Sequence, residues 1–172
     1  MIMNRYIGIL LTAVLLVSVG SCGYRLDGGG YLKETVTRVA VGVFENNTSQ
    51  TRAGLSFTNE LIREILEKTD TKVVDSSQAT RRIVGLVKAI QFSTLSRSST
   101  ESVVERRVTA VVDVKMVGPD DEIIWSVKDF SSKEDYFVVE DKMDDENNIR
   151  DALDKIAARC AERLVSQMMA NF

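Results

Sequence analysis

The 172-residue sequence contains no histidine, a single proline, a single tryptophan and only two cysteines, Cys22 and Cys160. The missing histidine removes the commonest general base and the commonest zinc ligand together. It also removes the usual base that would activate a reactive thiol. Positive charge is not in excess either: 22 Lys and Arg stand against 25 Asp and Glu, a formal net charge of −3. A nucleic-acid binder would show a basic surplus gathered on one face. The longest apolar run, Ile7 to Val19, falls short of the roughly 20 residues that a permanent membrane-spanning helix needs. The composition thus points away from catalysis, from nucleic acid and from a permanent membrane span.

What the chain does have at its start is a charged head, Asn4 and Arg5, a short apolar middle and an exit in small residues. Val19-Gly20-Ser21 runs directly into Cys22, and this tetrad resembles a bacterial lipobox, cut before the cysteine by signal peptidase II. Gly20 and Ser21 suit a narrow cleavage site, and the Cys22 thiol is the nucleophile that accepts a diacylglyceryl group. The competing reading is an ordinary cleaved signal with Cys22 later oxidised. Lipidation implies an S-diacylglycerol and an N-acyl chain on Cys22, and two or more chains hold a protein stably on a membrane. No other cofactor is called for. Gly23 follows the cysteine where an Asp favours retention at the inner membrane, so Gly23 is the expected sorting residue towards the periplasmic face of the outer membrane. Cleavage removes Arg5 and no acid, leaving 151 residues with a net charge of −4. That length supports one domain with a real core. The expected layout is a signal peptide over 1–21, an acylated and Gly-rich tether over 22–36, and one domain over 37–172.

Val39, Val41 and Val43 alternate with Ala40, Gly42 and Phe44, an internal strand apolar on both faces. Thr48 or Ser49 is placed to cap the following helix. Leu55, Thr58, Leu61, Ile62, Ile65 and Leu66 recur at helical spacing, with Arg63, Glu64, Glu67 and Lys68 opposite. Lys72 to Asp75 reads as a short strand. Arg82 to Phe92 reads as a longer one, with Ile83, Val87 and Ala89 on one side and Val84, Leu86, Ile90 and Phe92 on the other. Two apolar faces in one small domain leave a face for a partner. After a polar stretch from Ser93 to Ser102, Val104, Val108, Ala110, Val112, Val114 and Met116 alternate with Glu105, Arg107, Thr109, Asp113 and Lys115. Arg106 falls on the apolar side. Gly118-Pro119-Asp120-Asp121 turns the chain back, so Val104 to Val139 reads as a long antiparallel hairpin. Phe130 and Tyr136 are out of phase with Trp125, which calls for a bulge between them. Asp144-Asp145-Glu146 complements the dipole of a last helix rather than a calcium ion. Ile149, Leu153, Ile156, Cys160, Leu164 and Met168 form its apolar stripe, in which Cys160 is a small hydrophobe.

The mature start Cys22-Gly23-Tyr24 is followed by Val39-Ala40-Val41-Gly42-Val43-Phe44-Glu45-Asn46-Asn47-Thr48. Farther on, Arg107 to Val114 is answered across a turn by Ile124-Trp125-Ser126. In that order, and over nearly the whole mature length, these stretches resemble the LPS-assembly lipoprotein LptE family. The resemblance implies an α+β fold, two helices on one face of a four-stranded mixed sheet in the order strand-helix-strand-strand-strand-helix. It implies a non-enzymatic outer-membrane lipoprotein that plugs and helps assemble the barrel protein LptD, and a part in inserting lipopolysaccharide into the outer leaflet. By the same resemblance, lipopolysaccharide phosphates would meet Arg97, Arg106, Arg107 and Lys115. The competing reading of these cations is a solvated strand face balanced by Glu101, Glu105 and Asp113, and the residues favour it slightly. Pro119, Ile123 and Trp125 are the expected contacts with the barrel. The first strand and helix also resemble TolB-amino-domain-like and CsgG-like lipoproteins, components of secretion pores or regulators of synthases. Those chains continue with further strand-helix units, where this one ends in a hairpin and a helix.

Overall fold

A computed structural model of the chain describes residues 29–33, 36–97 and 103–170. The lipobox, Cys22, Gly23 and the tether before Gly29 lie outside the described residues, as does the end of the polar stretch, residues 98–102. The elements in order are β1 (Arg38–Val41), β2 (Glu45–Asn46), α1 (Ala53–Lys68), β3 (Lys72–Val73), β4 (Arg81–Arg97), β5 (Val103–Val117), β6 (Ile123–Phe137) and α2 (Lys142–Ala170). One mixed sheet runs β3-β1-β4-β5-β6, with β2 beside β4 in line with β1. β1 is parallel to β3 and β4, whereas β4, β5 and β6 are antiparallel. The α+β class holds, but among the described residues the sheet has six strands instead of four. The first strand splits at Gly42–Phe44, and Lys72–Val73 is a strand in its own right.

That split has a packing cause. Phe44 turns inward, 3% exposed, and its ring covers Gly85, where an added methyl would stand 2.3 Å from a ring carbon. The Phe44 N–H donates to the Thr58 hydroxyl at 2.9 Å, and that hydroxyl donates to the Gly54 carbonyl at 2.7 Å. Gly54 is needed there, since a Cβ would lie 2.4 Å from the Phe44 carbonyl oxygen. Two glycines thus let strand, helix and ring close on one another.

α1 buries Thr58, Leu61 and Ile65 as the spacing predicts, but its inward stripe is rotated away from Leu55 and Leu66. Phe57, Leu61, Glu64 and Ile65 are buried, while Leu55 and Leu66 are more than half exposed. The helix packs against α2 as well as the sheet, and the direction of these two neighbours together selects the stripe. Complete burial of Leu61 and Ile65 stabilises by about 1.5–3 kcal/mol each. Neither Thr48 nor Ser49 caps α1. The N-cap position is Arg52, which makes no side-chain cap bond, and Thr48 is occupied with Asn46 and Gln50. α2 is capped as a helix should be: Asp141 Oδ1 accepts from the N–H groups of Met143 (2.9 Å) and Asp144 (3.0 Å). Its inward stripe contains Leu153, Ile156, Cys160, Leu164 and Met168, widened by alanines.

β4 is longer than expected, reaching Arg97, and it bulges at Lys88 between the pairs Val87–Val112 and Ala89–Val111. The bulge shifts the phase by one, so Ile90 and Phe92 share the face of Ile83 and Val87 rather than that of Val84 and Leu86. The bulge called for between Trp125 and Phe130 is present. Asp129 has φ 54°, and its N–H donates to Asp113 Oδ1 at 2.7 Å. Trp125, Val127, Phe130 and Tyr136 consequently all face the helices, opposite Met116, Val114, Val112 and Arg106. Val108, Ala110, Val112, Val114 and Met116 are buried there. The stretch read as a tether is not all outside the domain. Leu32 is completely buried, its N–H donates to Thr71 Oγ1 at 3.0 Å, and Val36 is 1% exposed.

Candidate functional site

Both helices cover the same face of the sheet, and among the described residues two surfaces stand open to outside contact. The first is the helix-free face. Alternation along β4 and β5 places Val84 opposite Lys115 and Leu86 opposite Asp113 on that side. Between them lies a shallow cavity of about 390 Å³, lined by Val84, Leu86 and Ile123 and by the charged Glu45, Lys115 and Lys128. Ile123 is 63% exposed and Pro119 is exposed in the turn that follows β5. Trp125 does not belong with them. It is 7% exposed, packed on the helix side opposite Met116, and its expected role as an outward contact is withdrawn. A β-bulge explains the reversal, because the register shift between Met116 and Val117 places Ile123 and Trp125 on different sides.

The second surface is the end of the sheet where β4 stops and β5 begins. Phe92, Leu95, Val104, Phe137, Val139 and Met143 are all exposed to at least 37% there. Arg97 closes β4 in register with Val103. Arg106 and Arg107 are neighbours in sequence and so point to opposite faces. On the helix-free face Arg107 forms a two-armed pair with Asp135, Nε to Oδ1 at 2.7 Å and Nη2 to Oδ2 at 2.9 Å. The Arg107 guanidinium holds the Asp135 carboxyl below its ordinary range, and Asp135 raises Arg107 in return. On the helix side Arg106 stands opposite Tyr136, whose ring meets Phe92 edge-on at 6.4 Å. The Tyr136 hydroxyl is buried with no hydrogen-bond partner among the described residues. Burial raises its pKa, with Arg106 pulling the other way.

The four expected cations therefore do not form one cluster. Arg97, Arg106 and Arg107 share an end of the sheet, on different faces. Lys115 lies eight residues along β5 from Arg107, roughly 26 Å away, in the cavity near the opposite end. Asp135 escaped the sequence reading because its pairing with Arg107 depends on the bulge at Asp129, which sets the register of everything after it. Among the described residues no group of His, Cys, Asp or Glu is placed to hold a metal ion. Cys160 is completely buried, and that burial pushes its thiol up to about 11. No helix among the described residues is long and apolar enough to cross a membrane.

The fold has close counterparts. An uncharacterised lipoprotein B from Nitrosomonas europaea superimposes with a TM-score of 0.59 at 18% identity, covering 86% of this chain and 91% of that one. Rare lipoprotein B from Shewanella oneidensis gives 0.54 at 16% identity, covering 76% and 92%. A putative lipoprotein from Caulobacter crescentus gives 0.51 at 11% identity, covering 74% and 88%. At these identities the likeness concerns the fold. Among curated proteins, none matches the sequence. A family model described as LptE, lipopolysaccharide-assembly, matches residues 36–168, which takes in every strand and both helices up to the last turn of α2. The chain therefore belongs to the lipopolysaccharide-assembly LptE family.

Proposed function

We propose that this chain is a lipid-anchored plug of an LptD-type outer-membrane barrel, helping the barrel to assemble and to move lipopolysaccharide to the outer leaflet. The observation that carries the reading is the face of β4, β5 and β6 that no described helix covers. Both helices pack on the other side, leaving Val84 and Leu86 partly open and Ile123 exposed beside a charged rim. A plug acts by shape and contact, and this face offers both without a catalytic constellation. The anchor is the acylated Cys22, sorted outward by Gly23, on the periplasmic face of the outer membrane. Lipopolysaccharide phosphates are assigned to the far end of the sheet, where Arg97, Arg106 and Arg107 stand among exposed apolar side chains suited to acyl chains. Lys115 belongs instead to the barrel-facing cavity. The family match over 36–168 favours this reading over a secretion-pore or synthase-regulating lipoprotein.

The test is site-specific photo-crosslinking in cells, with probes at Pro119, Ile123, Ser126 and Gln91, all exposed. One large outer-membrane barrel should be trapped, and depletion of the chain should leave that barrel misassembled with less surface lipopolysaccharide. Crosslinks confined to peptidoglycan synthases, or to copies of the chain, would defeat the proposal.

A further inference from the structure

β6 is the last strand of the sheet, 15 residues long, and among the described residues no strand lies along one side of it. Such an edge presents a row of backbone N–H and C=O groups, a ready template for pairing with another chain. The direction of that row can be read from one bond. Val138 N–H donates inward to the Val104 carbonyl at 3.1 Å, so the carbonyls of even-numbered residues after the bulge point to β5 and those of odd-numbered residues point out. Before the bulge at Asp129 the phase is reversed, and Ile124 is among the outward set.

Three side chains from two separate parts of the chain bond to this outward row. Arg159 Nη2 in α2 donates to the Lys133 carbonyl at 2.6 Å, and Asn148 Nδ2 in α2 donates to the Phe137 carbonyl at 3.0 Å. Lys33 Nζ, from the segment before β1, donates to the Ile124 carbonyl at 3.3 Å. Arg159 is also held in place by Glu134, whose Oε2 lies 2.7 Å from Nη1, and Lys155 flanks the same carboxylate at 3.5 Å. Three outward carbonyls, at the start, in the second half and at the end of the strand, are therefore engaged, and the bulge at Asp129 bends the stretch between the first two out of line.

We propose that Lys33, Asn148 and Arg159 close the β6 edge, keeping this chain from pairing strand-to-strand with a second copy of itself. Glu134 is the positioning residue that keeps the Arg159 fork on the edge. The device protects the chain alone and holds whatever partner the sheet face takes.

The experiment uses the full-length lipoprotein in detergent, with mass measured by light scattering over a wide concentration range. Each variant also carries a cysteine at Ser131, an exposed position on β6, or, as the control, at the exposed Gln91 in the part of β4 past its pairing with β2. The wild type should stay monomeric. Asn148→Ala combined with Arg159→Ala should double in mass as concentration rises, with disulfide capture at position 131 and not at 91. Arg159→Lys, which can still donate one bond near Glu134, should remain monomeric. Should the double variant fail to fold by circular dichroism, Lys33→Met and Asn148→Ala alone are judged by the same two readouts. A folded variant that stays monomeric, a wild type already captured at 131, or dimers captured only at 91 would each overturn the closure.

Discussion

Lys88 Nζ and Asp129 Oδ1 stand 2.6 Å apart, although they lie on strands that are not neighbours. Each belongs to a β-bulge, Lys88 on β4 and Asp129 on β6, and Asp113 on the strand between them touches both. The Asp113 carboxylate accepts the Asp129 N–H at 2.7 Å while its other oxygen lies 3.4 Å from Lys88. The middle strand thus links two irregularities that separately set the phase of their strands. Asp113→Ala should cost about 0.5–1.5 kcal/mol in urea unfolding, since it removes the hydrogen bond that holds the exposed Asp129 N–H in a left-handed turn. Lys88→Ala should leave stability almost unchanged, because an ion pair in water is worth little. Equal effects from the two variants would mean that the charge, and not the backbone bond, matters.

Gly85→Ala is expected to destabilise by roughly 1–3 kcal/mol, the usual cost of overpacking a filled site. The methyl would meet the Phe44 ring at 2.3 Å, and that ring is buried against α1 and cannot swing away freely. Adding Phe44→Leu should recover part of the loss in the double variant, as measured by thermal unfolding. No recovery would place the strain in the backbone of β4.

Glu64 makes the fold sensitive to pH in a defined direction. Burial between the helices raises its pKa above the ordinary value of 4.5, and Glu162 on α2 and Glu67 add to the effect, while Lys68 and Arg63 oppose it. The folded chain therefore binds this proton more tightly than the unfolded chain. Its contribution to stability is full below about 4.5 and declines as pH rises through the folded value. Glu64→Gln should remove that decline and raise the urea midpoint at pH 7. A midpoint unchanged across the pH series would show that Glu64 reaches solvent on ionising.

Cys160 should be a packing residue only. With its thiol buried and pushed up to about 11, it should resist alkylation at pH 8 in the folded protein and react once urea is added, as read by mass spectrometry. Cys160→Ala should cost on the order of 1 kcal/mol and leave function intact. Loss of viability with the fold preserved would reveal a chemical role.

Acylation of Cys22 predicts that globomycin, which blocks signal peptidase II, makes the precursor accumulate. Cys22→Ala should release or mis-sort the protein in membrane fractionation. Full retention of the variant in the outer membrane, in cells lacking the barrel, would remove the anchor from the account.

Local periodicity carried a good part of the architecture. The phase slip between Trp125 and Phe130 announced the bulge, and the alternation from Val104 to Met116 picked out the buried face of β5, except near its start, where Val104 is 37% exposed. The stripe from Ile149 to Met168 marked α2 in the same way. Each is a property of residues two to four positions apart, where the backbone repeat itself decides which side chains share a side.

The sequence by itself determined the long hairpin and the amphipathic last helix, because those depend only on neighbours along the chain. The tertiary structure alone decided that Glu64 faces inward and Leu55 outward, that Trp125 fills the core, that Asp135 engages Arg107, and that three distant side chains meet the edge of β6. These follow from register and from which surfaces lie against each other. A single bulge shifts every later pairing by one residue, and a helix between a sheet and a second helix buries the side that both require.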